Sequence, residues 1–501
     1  MNISILILIL LIFGNITTLF SQDYLINDTG QNICYDASNI ISCAHPGESF
    51  YGQDSQFDGN QMSFQDNFDG TVTDLNTGLT WQKYLFADKL NYEDALAAAD
   101  TFSLNGYDDW RLPGIKELYS LIDFSGATGI NATSSIPFID TSYFEFRYGD
   151  ESSGERFIDA QYVSSTEYVG KTMNGDFTVF GVNFADGRIK GYGTTMPGGT
   201  EKLFEVRCVR GNSSYGKNNF VDNNDGTISD NATGLMWSKS DIGVGVNWEE
   251  ALGWVYQKNQ ENYLGYGDWR LPNAKELQSI VDYSRSPQTT NSAAINPLFE
   301  VTTVIDERGD LNYPFYWTST THTDGNNDNR YTKAVYVAFG EALGFMEIPP
   351  GSGNYILYDV HGAGSQRSDP KQGDPGDYPH GFGPQGDVIR IYNFVRLVRD
   401  EQISEVEQSE STQPNDFKLE QNFPNPFNPS TTISFSISTE AKVSLKVFNV
   451  IGTEVVTIVD KNLSPGSYSY EWNAEFQSSG VYFYKLTIDS YTEMRKMVLM
   501  K

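Results

Sequence analysis

Short runs of alternating apolar and polar residues, each bounded by a turn dipeptide, dominate the chain. Thr71-Val72-Thr73-Asp74 follows Asp69-Gly70 and precedes Thr77-Gly78, which is the pattern of two successive hairpin turns. Alternation also predicts strands across Val179–Tyr192 and Ala334–Phe345, each around a turn, and across Glu205–Arg210 and Phe394–Arg399. The pattern indicates many short strands with few helices.

Helical signals occur at four places. Acidic residues precede an Ala/Leu run at Tyr92–Ala99 and at Trp248–Val255, where they complement a helix dipole. A second helix is predicted after Pro113 and after Pro272. In the latter, Leu277, Ile280 and Val281 mark one buried face, and Asn273 is placed to cap its start.

These elements occur twice. Residues 106–125 and 265–284 share 13 of 20 positions, including Asp-Trp-Arg-Leu-Pro and Lys-Glu-Leu. The Asp-Gly loops repeat as well, with Asp66 and Asp222 in matching places. We therefore predict two tandem domains, copy one over residues 63–211 and copy two over residues 218–400.

The two ends of the chain differ from the copies. Residues 1–22 read as a secretory signal peptide, with an uncleaved anchor as the alternative, and residues 23–62 as a short lead-in. Residues 401–416 are acidic and flexible in composition, which predicts a linker. Residues 417–501 alternate regularly and predict a small β-sandwich. No later segment is long and apolar enough to span a membrane.

Three cysteines are present. Cys34 and Cys43 are spaced to form a disulfide in an oxidising compartment, which leaves Cys208 as a buried free thiol on a strand.

Composition narrows the class of partner. The chain has 501 residues, 39% of them hydrophobic, and a net charge of −31, so it is globular and strongly acidic. Such a charge repels DNA, RNA and sulfated polysaccharides, which we exclude as main partners.

Two resemblances follow from the motifs. Residues 417–501, with Asn422–Pro429, Pro465-Gly466 and Gly480-Val481-Tyr482, resemble the sorting domain of the bacterial type IX secretion system. That resemblance implies handling by the type IX machinery, secretion or display on the outer cell surface, and a module that is often removed.

The two copies resemble the Lcl C-terminal domain family, named for the end of a bacterial collagen-like adhesin. The matching residues are Asp-Gly-Thr with Thr-Gly-Leu-x-Trp, Asp-Trp-Arg-Leu-Pro with Lys-Glu-Leu, and Val-Arg-x-Val-Arg, at 69–81, 109–118 and 206–210 and again in copy two. The resemblance implies an α+β, C-type-lectin-like fold and a role in binding or adhesion. The sandwich at the end of the chain is expected to be immunoglobulin-like. Family members often pair the last-strand cysteine with one in the first helix, and Cys208 has no such partner.

The Asp-Gly loops are candidate Ca²⁺ sites, because carboxylates are hard oxygen ligands. The alternative is that these side chains bond their own turns. Nothing else in the sequence indicates a cofactor. The candidate metal ligands are Asp66, Asp69, Asp74, Asp222, Asp225 and Asp230.

Copy two also carries a long Gly/Pro/Asp/Tyr-rich insertion between Phe345 and Val388. A stretch of that length is either functional or disordered. The candidate ligand-binding residues there are Asp359, His361, Arg367, Asp369 and His380.

No catalytic motif is visible, and Asp-Trp-Arg is expected to build the fold. The leading hypothesis is a secreted, non-enzymatic protein that binds a glycan or another surface molecule. The alternatives are an enzyme acting on extracellular polysaccharide through carboxylates and a structural surface-layer component.

Overall fold

The computed structural model describes residues 22–401, except 174, 197 and 326–328, and most of 418–500. The gaps in the latter are 420–421, 423–424, 426, 438–440, 450–452, 464–465, 475–476 and 489–490. Nearly all of the predicted signal peptide and of the predicted linker lies outside the described residues. Two compact units result, Met1–Gln402 and Ile403–Lys501. Among the described residues, no helix is long and apolar enough to cross a bilayer.

The lead-in and copy one occupy the first part of the amino-terminal unit. The lead-in contains a two-stranded hairpin closed by a Cys34–Cys43 disulfide, with Sγ atoms 1.99 Å apart. The elements are β1 (Cys34–Tyr35), β2 (Ile40–Ile41), β3 (Phe64–Asp66), β4 (Thr71–Asp74), β5 (Leu79–Gln82), α1 (Tyr92–Asp100), α2 (Ile115–Tyr119), β6 (Gln161–Glu167), β7 (Thr178–Asn183), β8 (Arg188–Gly193) and β9 (Val209–Gly211).

Copy two repeats this order and adds strands. The elements are β10 (Phe220–Asp222), β11 (Thr227–Asp230), β12 (Leu235–Ser238), α3 (Trp248–Gln260), α4 (Ala274–Ser279), α5 (Pro287–Thr290), β13 (Val304–Ile305), β14 (Leu311–Asn312), β15 (Phe315–His322), β16 (Lys333–Ala338), β17 (Leu343–Glu347), β18 (Tyr355–Asp359), β19 (Gln366–Pro370) and β20 (Val398–Asp400).

The predicted strands on either side of a turn across Ala334–Phe345 are present as β16 and β17, but they do not pair with each other. Strand β17 pairs with β18, inside the insertion, and β19 takes the place beside β16. The insertion is therefore partly built from strands, and periodicity alone could not show which strands would pair, because β19 is the polar segment Gln-Arg-Ser-Asp-Pro.

One six-stranded antiparallel sheet runs through both copies, in the order β15-β16-β19-β8-β7-β6. Its two halves are matching strands of the two copies, and they meet where Gln366 pairs with Ile189. The strand order reads the same from either edge, so an approximate two-fold axis relates the copies.

The helices after the repeated motif obey the same symmetry. Lys116 donates from Nζ to the Ser279 carbonyl oxygen at 2.6 Å, and Lys275 donates to the Ser120 carbonyl oxygen at 3.1 Å. The lysine of each Lys-Glu-Leu motif thus bonds the end of the other copy's helix. Burial lowers the pKa of each lysine to about 8.

The Asp-Trp-Arg motif builds the fold, as the duplication predicted. Trp110 and Trp269 are buried. Arg270 donates to Glu276 at 2.5 Å, and Asp268 accepts from the last-strand Arg399 at 2.7 Å. Copy one repeats both pairs. The motif ties the second helix of each copy to its closing strand.

The carboxy-terminal unit consists of two antiparallel sheets around one apolar core. The sheets have the orders β21-β22-β25 and β24-β23-β26-β27. The strands are β21 (Lys418–Leu419), β22 (Ser430–Ile437), β23 (Ala441–Asn449), β24 (Glu454–Leu463), β25 (Gly466–Asn473), β26 (Gly480–Ile488) and β27 (Tyr491–Leu499). The protein is thus mainly β, with several small sheets.

Candidate ligand-binding site

A cluster of buried charges lies where the sheets of the two copies join. Side chains alternate along a strand, so Arg188 and Lys190 of β8 share a face with Arg367 of β19 and Tyr336 of β16. Lys333 begins β16 at the edge of the same cluster. Two of these cations come from copy one and two from copy two.

Each cation has a carboxylate partner. Asp324 accepts from Arg188 at 2.6 Å and from Lys333 at 3.0 Å. Lys190 donates to Asp186 at 2.7 Å, while Arg367 pairs with Asp387. The cations Arg188, Lys190, Lys333 and Arg367 exceed the carboxylates Asp186, Asp324 and Asp387 by one charge.

The two nearby histidines do not add charge at neutral pH. Burial, reinforced by Arg188, lowers the pKa of His322 to about 3. Burial and Arg367 also place the pKa of His361 well below its usual value. Asp324 stays ionised. Burial opposes the ionisation of its carboxyl, but the nearby Arg188 and Lys333 hold its pKa well below the usual range. The cluster is therefore cationic within a strongly acidic chain.

A cavity of about 350 Å³ opens onto this cluster. It is lined by Arg188, Lys333 and Arg367 together with the aromatic rings of Tyr336, Tyr378 and Phe382. Lys333 Nζ lies 4.8 Å from the centre of the Phe382 ring, which is 55% exposed at the rim. Within the described residues, Nε and Nη1 of Arg367 are buried without a hydrogen-bond partner. We call this the cationic cavity.

An apolar cavity of about 510 Å³ lies on the other side of the 375–390 segment. Phe315, Phe345 and Tyr392 line it, and the Arg390 guanidinium stacks on Phe315 at 3.9 Å. Tyr378 lines both cavities. The copy-two insertion thus forms the wall between a charged and an aromatic surface.

Of the five predicted ligand-binding residues, only Arg367 lines the cationic cavity. His361 lies behind it and contacts Asp387 through Nε2 at 2.8 Å. His380 lies apart and stacks on Tyr355 with ring centres 3.8 Å from each other.

The two predicted aspartates are buried in structural roles. Asp359 accepts from Tyr168 at 2.8 Å and from the Gly362 amide at 2.8 Å, and burial raises its pKa to about 7. Asp369 accepts from the amides of Arg390 and Ile391 at 3.1 Å, and burial raises its pKa to about 6. Neither carboxylate lines a cavity described above.

Sequence reasoning missed Arg188, Lys333 and Asp387. Arg188 belongs to copy one and reaches the site only because β8 pairs with β19, 177 positions away (366 − 189). No spacing along the chain carries that signal.

The Asp-Gly loops do not assemble their aspartates into one ligand set. Asp66 pairs with Lys83 at 2.5 Å, Asp69 accepts from the Thr71 amide at 3.0 Å, and Asp74 accepts from Asn27 at 2.6 Å. Copy two has the same arrangement, with partners Lys239 for Asp222, Thr227 for Asp225 and Asn218 for Asp230. Among the described residues, no group of three or more His, Cys, Asp or Glu is arranged to hold a metal.

Two family models match the sequence. One, described as the Lcl C-terminal domain, matches residues 70–210 and 226–357. The other, described as the secretion system C-terminal sorting domain, matches residues 421–500. No curated protein is similar enough to match the chain.

One similar solved structure is described as PorZ, an essential bacterial surface component of the type-IX secretion system of Porphyromonas gingivalis. The sequence identity is 10% and the TM-score is 0.13. The match covers 73% of this chain and 48% of that chain, so this chain spans about half the length of that structure. A TM-score this low supports no conclusion about fold or function.

Proposed function

The chain belongs to the Lcl C-terminal domain family, and from this premise we propose that it is a non-enzymatic protein that binds a glycan at the cell surface. It ends in a type IX sorting domain, which directs secretion and attachment to that surface. The glycan class that fits best presents one acidic group. The observation that carries the proposal is the cationic cavity beside an aromatic surface.

The chemistry of the two cavities supports this ligand class. Aromatic rings pack against the apolar faces of sugars, and Tyr378, Phe382 and Tyr392 offer such rings near the insertion. Arg188, Lys333 and Arg367 offer donors for a carboxylate. A densely sulfated polymer fits less well, because the chain as a whole carries a net charge of −31.

The enzyme alternative has less support. In the copy-two insertion, the two candidate carboxylates whose pKa is raised by burial, Asp359 and Asp369, are enclosed by protein donors. Calcium is not part of the proposal, since the loop aspartates are bonded to their own turns or to a lysine. We also propose a C-type-lectin-like arrangement for each copy and an immunoglobulin-like one for the carboxy-terminal unit. Helices α1 and α2 beside antiparallel sheets, and two sheets around one core, support these assignments.

The test is a glycan array that includes neutral and uronate-containing saccharides, probed with the secreted protein. We expect saturable binding to a saccharide with one acidic group, weakened at least tenfold by Phe382→Ala and by Tyr392→Ala. Phe68→Ala is the matched control, because Phe68 is 92% exposed and lies in an Asp-Gly loop, and it should bind as wild type does.

Three outcomes would contradict the proposal. Equal loss in Phe68→Ala would mean that the cavity is not the site. Release of reducing ends from a polysaccharide would favour the enzyme alternative. If neither glycan binding nor release of reducing ends is detected, the result would favour a structural surface component.

A further inference from the structure

The approximate two-fold axis creates two matching clefts, and the lead-in occupies part of only one of them. The first cleft is a cavity of about 650 Å³ lined by Arg111, Lys116, Glu117, Thr166, Lys217 and Tyr283. The second cleft, about 380 Å³, is lined by the equivalent motif residues Arg270, Asn273 and Glu276. Each lies beside the Asp-Trp-Arg motif of one copy.

The lead-in occupies part of the second cleft and lines the cavity that remains there. Asp54 accepts from the Thr320 hydroxyl at 2.5 Å. The Gln31 side-chain amide accepts from the Thr321 N–H at 2.8 Å and donates to the Thr321 carbonyl oxygen at 2.9 Å. As a result, every residue of β15 is buried. The Phe124 amide also donates to the Thr29 carbonyl oxygen at 2.7 Å.

The matching surface of the first cleft is open. Strand β6 corresponds to β15, yet its end is exposed at Ser165 and Glu167. Thr166 accepts from the Ile115 amide at 2.9 Å, just as Thr320 accepts from the Ala274 amide at 3.0 Å. The first cleft is therefore lined by Thr166 and Tyr283. Their equivalents in the second cleft, Thr320 and Phe124, contact the lead-in instead.

The charges of the two clefts are opposite. In the second cleft, Arg270 pairs with both Glu276 and Asp400, and the lead-in adds Asp28, Asp54 and Asp58. In the first cleft Gly211 takes the place of Asp400, so Arg111 pairs with Glu117 and its side chain is 35% exposed, against 10% for Arg270. Lys116 and Lys217 add positive charge and Asp282 adds one negative charge, so the cations lining the first cleft exceed the carboxylates by one.

We propose that the first cleft binds an acidic polypeptide segment of a partner protein, in the way that the second cleft binds the lead-in. A carboxylate of the segment takes the position that Asp54 has at Thr320 and accepts from the Thr166 hydroxyl. A backbone carbonyl of the segment accepts from the Tyr283 amide. This site is separate from the cationic cavity and does not depend on glycan binding.

The probe is a synthetic, disulfide-closed peptide with the sequence of residues 28–58, added to the full chain and followed by fluorescence anisotropy. We expect saturable binding of one peptide per chain. Lys217→Glu should weaken it at least tenfold, and so should Asp54→Asn in the peptide. Lys217 is exposed, so this variant should keep the wild-type Tm. The matched control is Lys171→Glu, another exposed lysine outside the cleft, which should change the affinity less than twofold.

The proposal is overturned if binding is not saturable, or if Lys217→Glu binds the peptide as wild type does. It is also overturned if the chain alone forms a dimer that Lys217→Glu dissociates, since the occupant would then be the lead-in of a second copy.

Discussion

At the scale of single residues, three buried aspartates have raised pKa values. Burial raises the pKa of Asp54 and Asp359 to about 7 and that of Asp369 to about 6. Asp54 joins the lead-in to Thr320, and Asp359 of copy two joins Tyr168 of copy one. These carboxyls hold separate segments together, at a free-energy cost that appears when they ionise.

These pKa values predict that stability falls as the pH rises. The folded state binds the proton of Asp359 more tightly than the unfolded state does, so the contribution is greatest below pH 4 and is lost by about pH 7. From pH 5 to pH 7.5, the free energy of unfolding should fall by about 2 kcal/mol less in Asp359→Asn than in wild type. Urea unfolding at both pH values measures this. An identical fall in both proteins would contradict the prediction.

At the scale of elements, the two copies can be compared at the residue that precedes the second helix of each. Asn273 caps α4, accepting from the amides of Lys275 and Glu276 at 3.0 and 2.9 Å. Gly114 occupies the same place before α2 and has no capping side chain. The sequence alone showed this cap, because capping depends on residues within one turn.

Asn273→Ala should therefore lower the free energy of unfolding by about 1 kcal/mol. Gly114→Ala is the matched variant and should change it by less than about 0.5 kcal/mol, because a Cβ there meets its nearest atoms at 3.6 and 3.8 Å and the backbone φ is −65°. Chemical denaturation of both variants is the measurement. Equal losses would mean that the cap is not what stabilises α4.

At the scale of the molecule, the amino-terminal unit has a core that extends through both copies. Leu118 and Phe180 of copy one and Leu277 and Val335 of copy two belong to one buried apolar cluster. The domain boundaries drawn from the sequence stay a prediction, but the shared sheet and core mean that the copies stabilise each other.

We expect the amino-terminal unit to unfold in one transition. Leu118→Ala removes buried methyl groups and should cost about 2–5 kcal/mol. It should lower the Tm of that single transition and reduce hydrogen-exchange protection in α4 as well as in α2. Leu75→Ala, where the side chain is 56% exposed, is the control. Separate transitions for the two copies, with α4 unaffected, would contradict the shared core.

The sequence by itself determined the duplication, the helix starts, the scaffold role of Asp-Trp-Arg and the sorting domain. Each depends on identity between segments or on residues a few positions apart. Only the tertiary structure decided that β8 joins β19 and that β17 pairs with β18. The pairing of β8 with β19 brings Arg188 to Arg367 and forms the cationic cavity. One of the two matching clefts stays open, because a single lead-in can occupy only one side of a two-fold axis.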